Sequence, residues 1–185
     1  MPRTRFTIKI VLLSGVSVNF GKVLRPVPIP TRDPCVFGQW RLIYTSSSIT
    51  RYFGGLNGLQ RLLPDGAVGR IAQNLDEELG SATITERLFF DVPFRADRAS
   101  VDAVVTGKFR ATSQTRFVWS PEKVRVAWFS WFAETWKTVR AFQVSDVTYL
   151  DEDLRITRGQ NGSAFVYERF DPDVNSADDD DYDDD

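Results

Sequence analysis

YLDEDLRITRGQNGSAFVYER, Tyr149–Arg169, is the stretch on which the fold turns. Asp151 and Asp153 flank Glu152, and Leu154 and Ile156 then alternate with Arg155 and Thr157. Period-two alternation is the mark of a strand with one buried face. Gly159-Gln160-Asn161-Gly162 supplies residues that tolerate the positive φ of a tight hairpin. The acids fit a corner, because an Asp carboxylate in a turn accepts from nearby backbone N–H groups. The stretch therefore predicts a three-stranded meander, with strands at Val147–Leu150, Leu154–Thr157 and Ser163–Arg169. Arg155 or Arg158 can pair with the acids and favour their ionised form. A general acid needs the opposite setting, an apolar pocket that raises its pKa. Asp151 and Asp153 thus read first as a structural corner. Catalytic or metal-binding carboxylates and a partner-docking surface are the alternatives.

The same alternation extends backward. In GQWRLIYTSS, Trp40, Leu42 and Tyr44 alternate with Arg41, Ile43 and Thr45, which predicts a strand. Residues 49–63 have helical spacing but three glycines, and read as a short helical crossover ending at Pro64-Asp65-Gly66. AVGRIAQNLD, SATITERLFFDV, SVDAVVTGKFRATS and QTRFVWS read as further strands, with a turn expected at Ser120-Pro121-Glu122. KVRVAWFSWF reads as one strand apolar on both faces, with Val124, Val126 and Trp128 on one side and Ala127, Phe129 and Trp131 on the other. About nine short strands with closely spaced turns and little helix predict a mostly-β sandwich or closed barrel.

The 185 residues suit one domain with tails. They hold 14 Phe and 5 Trp, large rings that need burial or a ligand. The net charge of −2 conceals an asymmetry. Residues 1–32 carry six basic side chains and no acid, residues 33–170 are near neutral, and residues 171–185 carry nine Asp and no base. The absence of His removes the usual general base, the commonest metal ligand and every Ser-His or Cys-His dyad. Cys35 stands alone, so no internal disulfide or cysteine zinc site is available, which is compatible with a reducing or plastid-like compartment. A nucleic-acid binder would need a concentrated basic face, and only the leader is basic.

Three regions follow: residues 1–36, a basic leader and Pro-rich linker; residues 37–170, the β domain; residues 171–185, a disordered acidic tail. The leader reads either as a transit-peptide remnant or as a β-hairpin turning at Ser14-Gly15. The prolines of RPVPIPTRDP are expected to exclude regular structure.

Three segments, in order, also resemble a known family. Tyr149–Arg169 looks like the C-terminal signature of the plastid lipid-associated proteins, the plant and algal family also called plastid fibrillins. Gly38-Gln39-Trp40, continuing as RLIYTSS, resembles that family's Gly-x-Trp-x-Leu-x-Tyr-Thr-Ser opening, and Val68–Asp76 resembles its Val-Gly-x-x-x-Gln segment. Ahead of the opening, prolines and a short leader stand where the family usually has a helical stretch and a longer transit peptide. The resemblance implies a lipocalin-like antiparallel β-barrel associated with plastoglobules or thylakoids. It implies binding or coating of lipids or isoprenoids, such as a quinone, carotenoid or fatty acyl chain, with no cofactor and no common catalytic residues.

In such barrels Gly38 lets the chain turn near the floor, Trp40 plugs it, and an arginine of the last strands, Arg155 or Arg169, lies over the indole. Trp40, Leu42, Tyr44, Trp119, Val124, Val126 and Trp128 are the candidate cavity wall. Phe129 and Trp131, beside Lys123 and Arg125, form a candidate membrane or partner surface. Burying a 16-carbon chain is worth roughly 13 kcal/mol gross, several of which association consumes. The expected partners are a hydrophobic small molecule or lipid, a peripheral lipid-body surface or a protein, and no nucleic acid. An adaptor with a filled barrel is the second reading. A carboxylate enzyme using Asp151, Asp153 and Glu86 is the third.

Overall fold

Closure is what this sheet achieves. The computed structural model describes residues 8–11, 17–20, 29–48, 50, 67–92, 98–127, 129–132 and 144–171. Two short strands, β1 (Ile8–Val11) and β2 (Ser17–Phe20), pair antiparallel with each other. The main sheet contains β3 (Gly38–Thr45), β4 (Ala67–Asp76), β5 (Ser81–Phe90), β6 (Ala99–Ala111), β7 (Arg116–Val126), β8 (Phe129–Phe132), β9 (Val144–Leu150), β10 (Leu154–Gly159) and β11 (Ala164–Arg169). Its order is β6-β5-β4-β3-β11-β10-β9-β7-β8, with β6 also paired to β7. Eight strands thus form a closed, antiparallel, lipocalin-like barrel in which nearly every strand pairs with its neighbour in sequence and β11 returns to β3. Among the described residues of the main sheet, closure leaves β8 at the end of the strand order, which limits unwanted strand pairing.

The period-two pattern explains the core. Along β5, Ala82, Ile84, Glu86 and Leu88 are buried while their neighbours are half-buried. The interior cluster joins Ala82 and Ile84 of that row to Trp40, Ile71, Leu75, Val105, Phe117, Trp119, Val124, Val147, Leu150, Phe165 and Tyr167. A second cluster of Tyr149, Leu154 and Val166, with Ile43 and Ile156 against it, lies on the opposite face of β3, β9, β10 and β11. Leu154 and Ile156 therefore belong to the outer cluster, and Arg155 and Thr157 face the lumen.

The Pro-rich stretch differs from its expectation. Pro30–Arg32 and Pro34–Val36 form two 3₁₀ turns, each started by a proline whose fixed φ suits the first helical position. Thr31 bonds the β6–β7 turn, its N–H to the Gln114 carbonyl and its hydroxyl to the carbonyls of Ser113 and Gln114. Val36 is fully buried and accepts the Trp40 indole N–H at 3.0 Å. The segment crosses one end of the barrel.

Two turn assignments also change. Ser120-Pro121-Glu122 is not a turn but the middle of the continuous strand β7. Pro121 lies opposite Gly107 where the register shifts, and a bulge is where a strand tolerates a residue without an N–H. On its other edge β7 pairs with β9 through residues 116–118 and with β8 through residues 123–126, so Pro121 interrupts neither ladder. KVRVAWFSWF, in turn, is a hairpin rather than one strand. Ala127 has φ +50°, and β8 folds back with Phe129 opposite Val126 and Trp131 opposite Val124. Of the expected crossover at 49–63, Thr50 is described and helical, and the rest lies outside the described residues, as do Ser14-Gly15 and the tail from residue 172.

Candidate functional site

The floor of the barrel is built from its first and last strands. Trp40 is fully buried on β3, and Arg169, its register partner at the end of β11, lies with its guanidinium carbon 4.0 Å from the ring centre. Arg169 donates from Nη1 to the Phe37 carbonyl (2.5 Å), from Nη2 to the Cys35 carbonyl (2.6 Å) and from Nε to the Glu152 carbonyl (3.1 Å). One side chain thereby ties the 3₁₀ segment, the indole and the β9–β10 turn together, using the planar donor fork of arginine. Gly38 makes this approach possible: its φ is +98°, and a Cβ there would sit 2.8 Å from Arg169 Nη1. Burial lowers the Arg169 pKa.

Arg155 occupies the other side. Its guanidinium carbon is 4.9 Å from the Trp40 ring centre and 4.5 Å from that of Tyr167, and its Nη2 donates to Gln73 Oε1. Both arginines thus lie over Trp40. Arg155 is almost completely buried, and desolvation lowers its pKa to about 10, a shift that proximity to Arg169 increases. Tyr167 has its phenol pushed up by the same burial.

A cavity of about 30 Å³ remains between Gln73, Phe117, Trp119, Ser145, Arg155 and Thr157, with Leu75, Ala82, Phe109 and Val147 completing its wall. It holds about a water molecule. The ring of Phe109 meets that of Phe37 tilted, with centres 6.0 Å apart, and that of Phe117 edge-on, with centres 5.5 Å apart. Among the described residues the interior is therefore filled by its own side chains rather than hollow. A wider groove, about 350 Å³, lies outside the lumen around the Arg116–Asp146 pair, whose two bonds are each 2.8 Å.

The acidic corner is a turn. Asp151 Oδ1 accepts from the backbone N–H of Asp153 (2.9 Å) and Leu154 (2.7 Å), and Oδ2 accepts the Tyr149 hydroxyl at 2.6 Å. That bond and burial raise the Tyr149 pKa, burial being the larger cause. Arg155 and Arg158, the expected partners of these acids, make their described hydrogen bonds elsewhere. Arg155 turns into the lumen, and Arg158 Nη1 donates to the Gly162 carbonyl at 3.1 Å. Glu86 is far from this corner in register, fully buried on the inward row of β5, and is not without a partner. Among the described residues no group of three His, Cys, Asp or Glu side chains could hold a metal ion.

Of the remaining wall candidates, Trp119 and Val124 are buried in the interior cluster, Leu42 and Val126 pack against it, and Tyr44 is exposed. Phe129 is exposed on β8. Trp131 lies in β8 by its backbone, and Trp128 falls outside the described residues. Sequence reasoning missed Gln73, Phe117, Thr157 and Tyr167. Thr157 and Tyr167 were accessible through parity, since each lies two residues from an arginine already singled out. Gln73 carried no such signal.

A search of the curated proteins finds no match to the chain. A family model described as PAP_fibrillin matches residues 138–168, which include β9, β10 and most of β11. Over this C-terminal segment, set in a lipocalin-like barrel, the chain is similar to the PAP/fibrillin family.

Proposed function

We propose that this protein is a non-enzymatic, lipid-associated barrel of the plastid that coats or binds hydrophobic lipids or isoprenoids at plastoglobules or thylakoids. The family match at residues 138–168 carries the reading, since the family is plastid- and lipid-associated. The filled interior favours coating over enclosure, because a cavity of about 30 Å³ cannot take a quinone or carotenoid without large rearrangement. β8 supports a surface mode. Phe129 is 54% and Phe132 74% exposed, and Phe132 lies opposite Lys123 and Ser130 opposite Arg125. Phe132 beside Lys123 suits a lipid–water boundary, with the ring in and the cation at the headgroups. The near-neutral body and the Asp-rich end of the chain favour a neutral lipid surface over an anionic one.

Flotation with triacylglycerol droplets tests this. The wild-type protein should rise with the droplets; a folded protein that stays wholly in the aqueous layer would remove the reading. The adaptor reading keeps one specific support. β8 stands last in the strand order, and its exposed Phe129 and Phe132 offer an apolar surface that a partner enzyme could cover. Recovery of a partner enzyme that depends on β8, from protein that does not float, would favour that alternative.

A further inference from the structure

The lumen contains a buried cation with no described counter-ion. Arg155 is almost completely buried, its one hydrogen bond goes to the neutral amide of Gln73, and the charged neighbour that acts on it is Arg169, of the same sign. A guanidinium cannot shed its proton as a buried lysine or histidine does. Burying it without an anion is costly, and π faces and an amide offset only part of that cost. Two N–H donors beside it are also unsatisfied. Arg155 Nε and Trp119 Nε1 are buried without hydrogen-bond partners, and both side chains line the 30 Å³ cavity. Thr157 Oγ1, on the same wall, lies near the Tyr167 phenol but forms no well-aligned hydrogen bond.

These groups ask for an acceptor. A water molecule would satisfy them in part while bringing two donors of its own into a wall whose other members are mostly apolar: Leu75, Ala82, Phe109, Phe117 and Val147. An acceptor-only group with a negative charge matches the donors and the charge. We propose that the cavity between Arg155, Trp119 and Thr157 is a binding site for a single carboxylate group, either of a short acid or at the head of a long-chain amphiphile. The carboxylate would accept from Arg155 Nε and Trp119 Nε1, with the Thr157 hydroxyl as a third donor. A short acid requires the neighbouring side chains to give way slightly, because the cavity holds about one water molecule. A long-chain acid must displace the rings of Phe109 and Phe117. The site stands on lumen geometry and does not depend on the coating role of β8.

The test uses the full-length protein with [1-¹³C]acetate and, below its aggregation limit, [1-¹³C]palmitate, read by carboxyl ¹³C and indole ¹⁵N–¹H resonances. The expected result is a saturable shift of the Trp119 indole signal, with a bound carboxyl that stays ionised to lower pH than the free acid. Saturation by acetate points to a small-anion site, and saturation by palmitate alone to an amphiphile head; either supports the proposal. Trp119→Phe and Thr157→Val should each weaken binding about tenfold, the loss expected for one hydrogen bond to a charged group. Arg155→Gln should abolish it, and if that variant does not fold the other two carry the test. Neither acid moving the indole signal of folded protein, or equal affinity in Trp119→Phe, Thr157→Val and wild type, overturns the site. Droplet flotation of the same variants separates the two ideas: floating protein that ignores both acids sinks this inference alone, and carboxylate binding without flotation sinks the coating role alone.

Discussion

Arg169 lies 4.0 Å above the ring of Trp40, and the same guanidinium holds the carbonyls of Phe37 and Cys35. The last strand of the barrel thus fastens the first, together with the turn segment that crosses its end.

Arg169→Ala removes three charge-assisted hydrogen bonds and one cation–π contact at once. Unfolding in urea should show a loss of about 2–4 kcal/mol, less than the sum of the parts because the site is partly solvated. Arg169→Lys should recover only a minor share, since an ammonium cannot span these acceptors in one plane. A loss below about 0.5 kcal/mol for Arg169→Ala, the scale of an ordinary surface change, would mean that the clasp is incidental.

Gly107 and Gly162 make a contrasting pair. A Cβ at Gly107 would lie 2.3 Å from the Ser120 carbonyl oxygen and 2.6 Å from the Pro121 Cα, both backbone atoms of the facing strand. Gly107→Ala must therefore push β6 and β7 apart at the bulge, costing about 2 kcal/mol or more. Gly162, at φ +78° with open space around it, should lose only about 1 kcal/mol on conversion to Ala, from the left-handed conformation alone. Equal thermal shifts for the two variants would contradict this account of β7 as one bulged strand.

Tyr149 and Asp151 should appear in the alkaline limb of stability. The folded-state pKa of Tyr149 is raised, so its contribution is complete below the phenol's unfolded value of about 10 and is lost as pH rises toward the folded value. Tyr149→Phe should cost about 1–2 kcal/mol at pH 7 and should flatten the decline above pH 10. Chemical denaturation at several pH values checks both points; an unchanged alkaline slope would show that the phenol does not titrate with unfolding.

Phe129→Ser combined with Phe132→Ser tests the surface mode. Their exposure means that little folded-state burial is lost, so stability should change by less than about 1 kcal/mol. Transfer of even half of each ring into lipid is worth about 1–1.5 kcal/mol. Droplet partition should therefore fall about tenfold or more. Unchanged partition would move the lipid contact away from β8.

Much of this molecule was legible one strand at a time. Period-two alternation located β3, β4, β5 and the meander β9–β10–β11, because a half-buried strand writes its buried face directly into the chain. Asp151 was legible as a corner, since an Asx turn is a local matter of one carboxylate and two nearby N–H groups. Pro121 and Ala127 were misread for a related reason. A proline reads as a turn until a facing glycine makes room for a bulge, and an apolar run reads as one strand until pairing folds it back. Alternation also leaves open which face is inside. Leu154 and Ile156 alternate with Arg155 and Thr157, and only closure of β11 onto β3 turned Arg155 and Thr157 inward and set the aliphatic pair in a separate outer cluster. Whether a lumen is hollow depends on how side chains from eight strands fill one volume, and no local pattern encodes that sum. By itself the sequence determined most of the strands, the acidic corner and the family resemblance. Tertiary structure alone decided that the tube is packed, and that a buried guanidinium sits against the small space left in it.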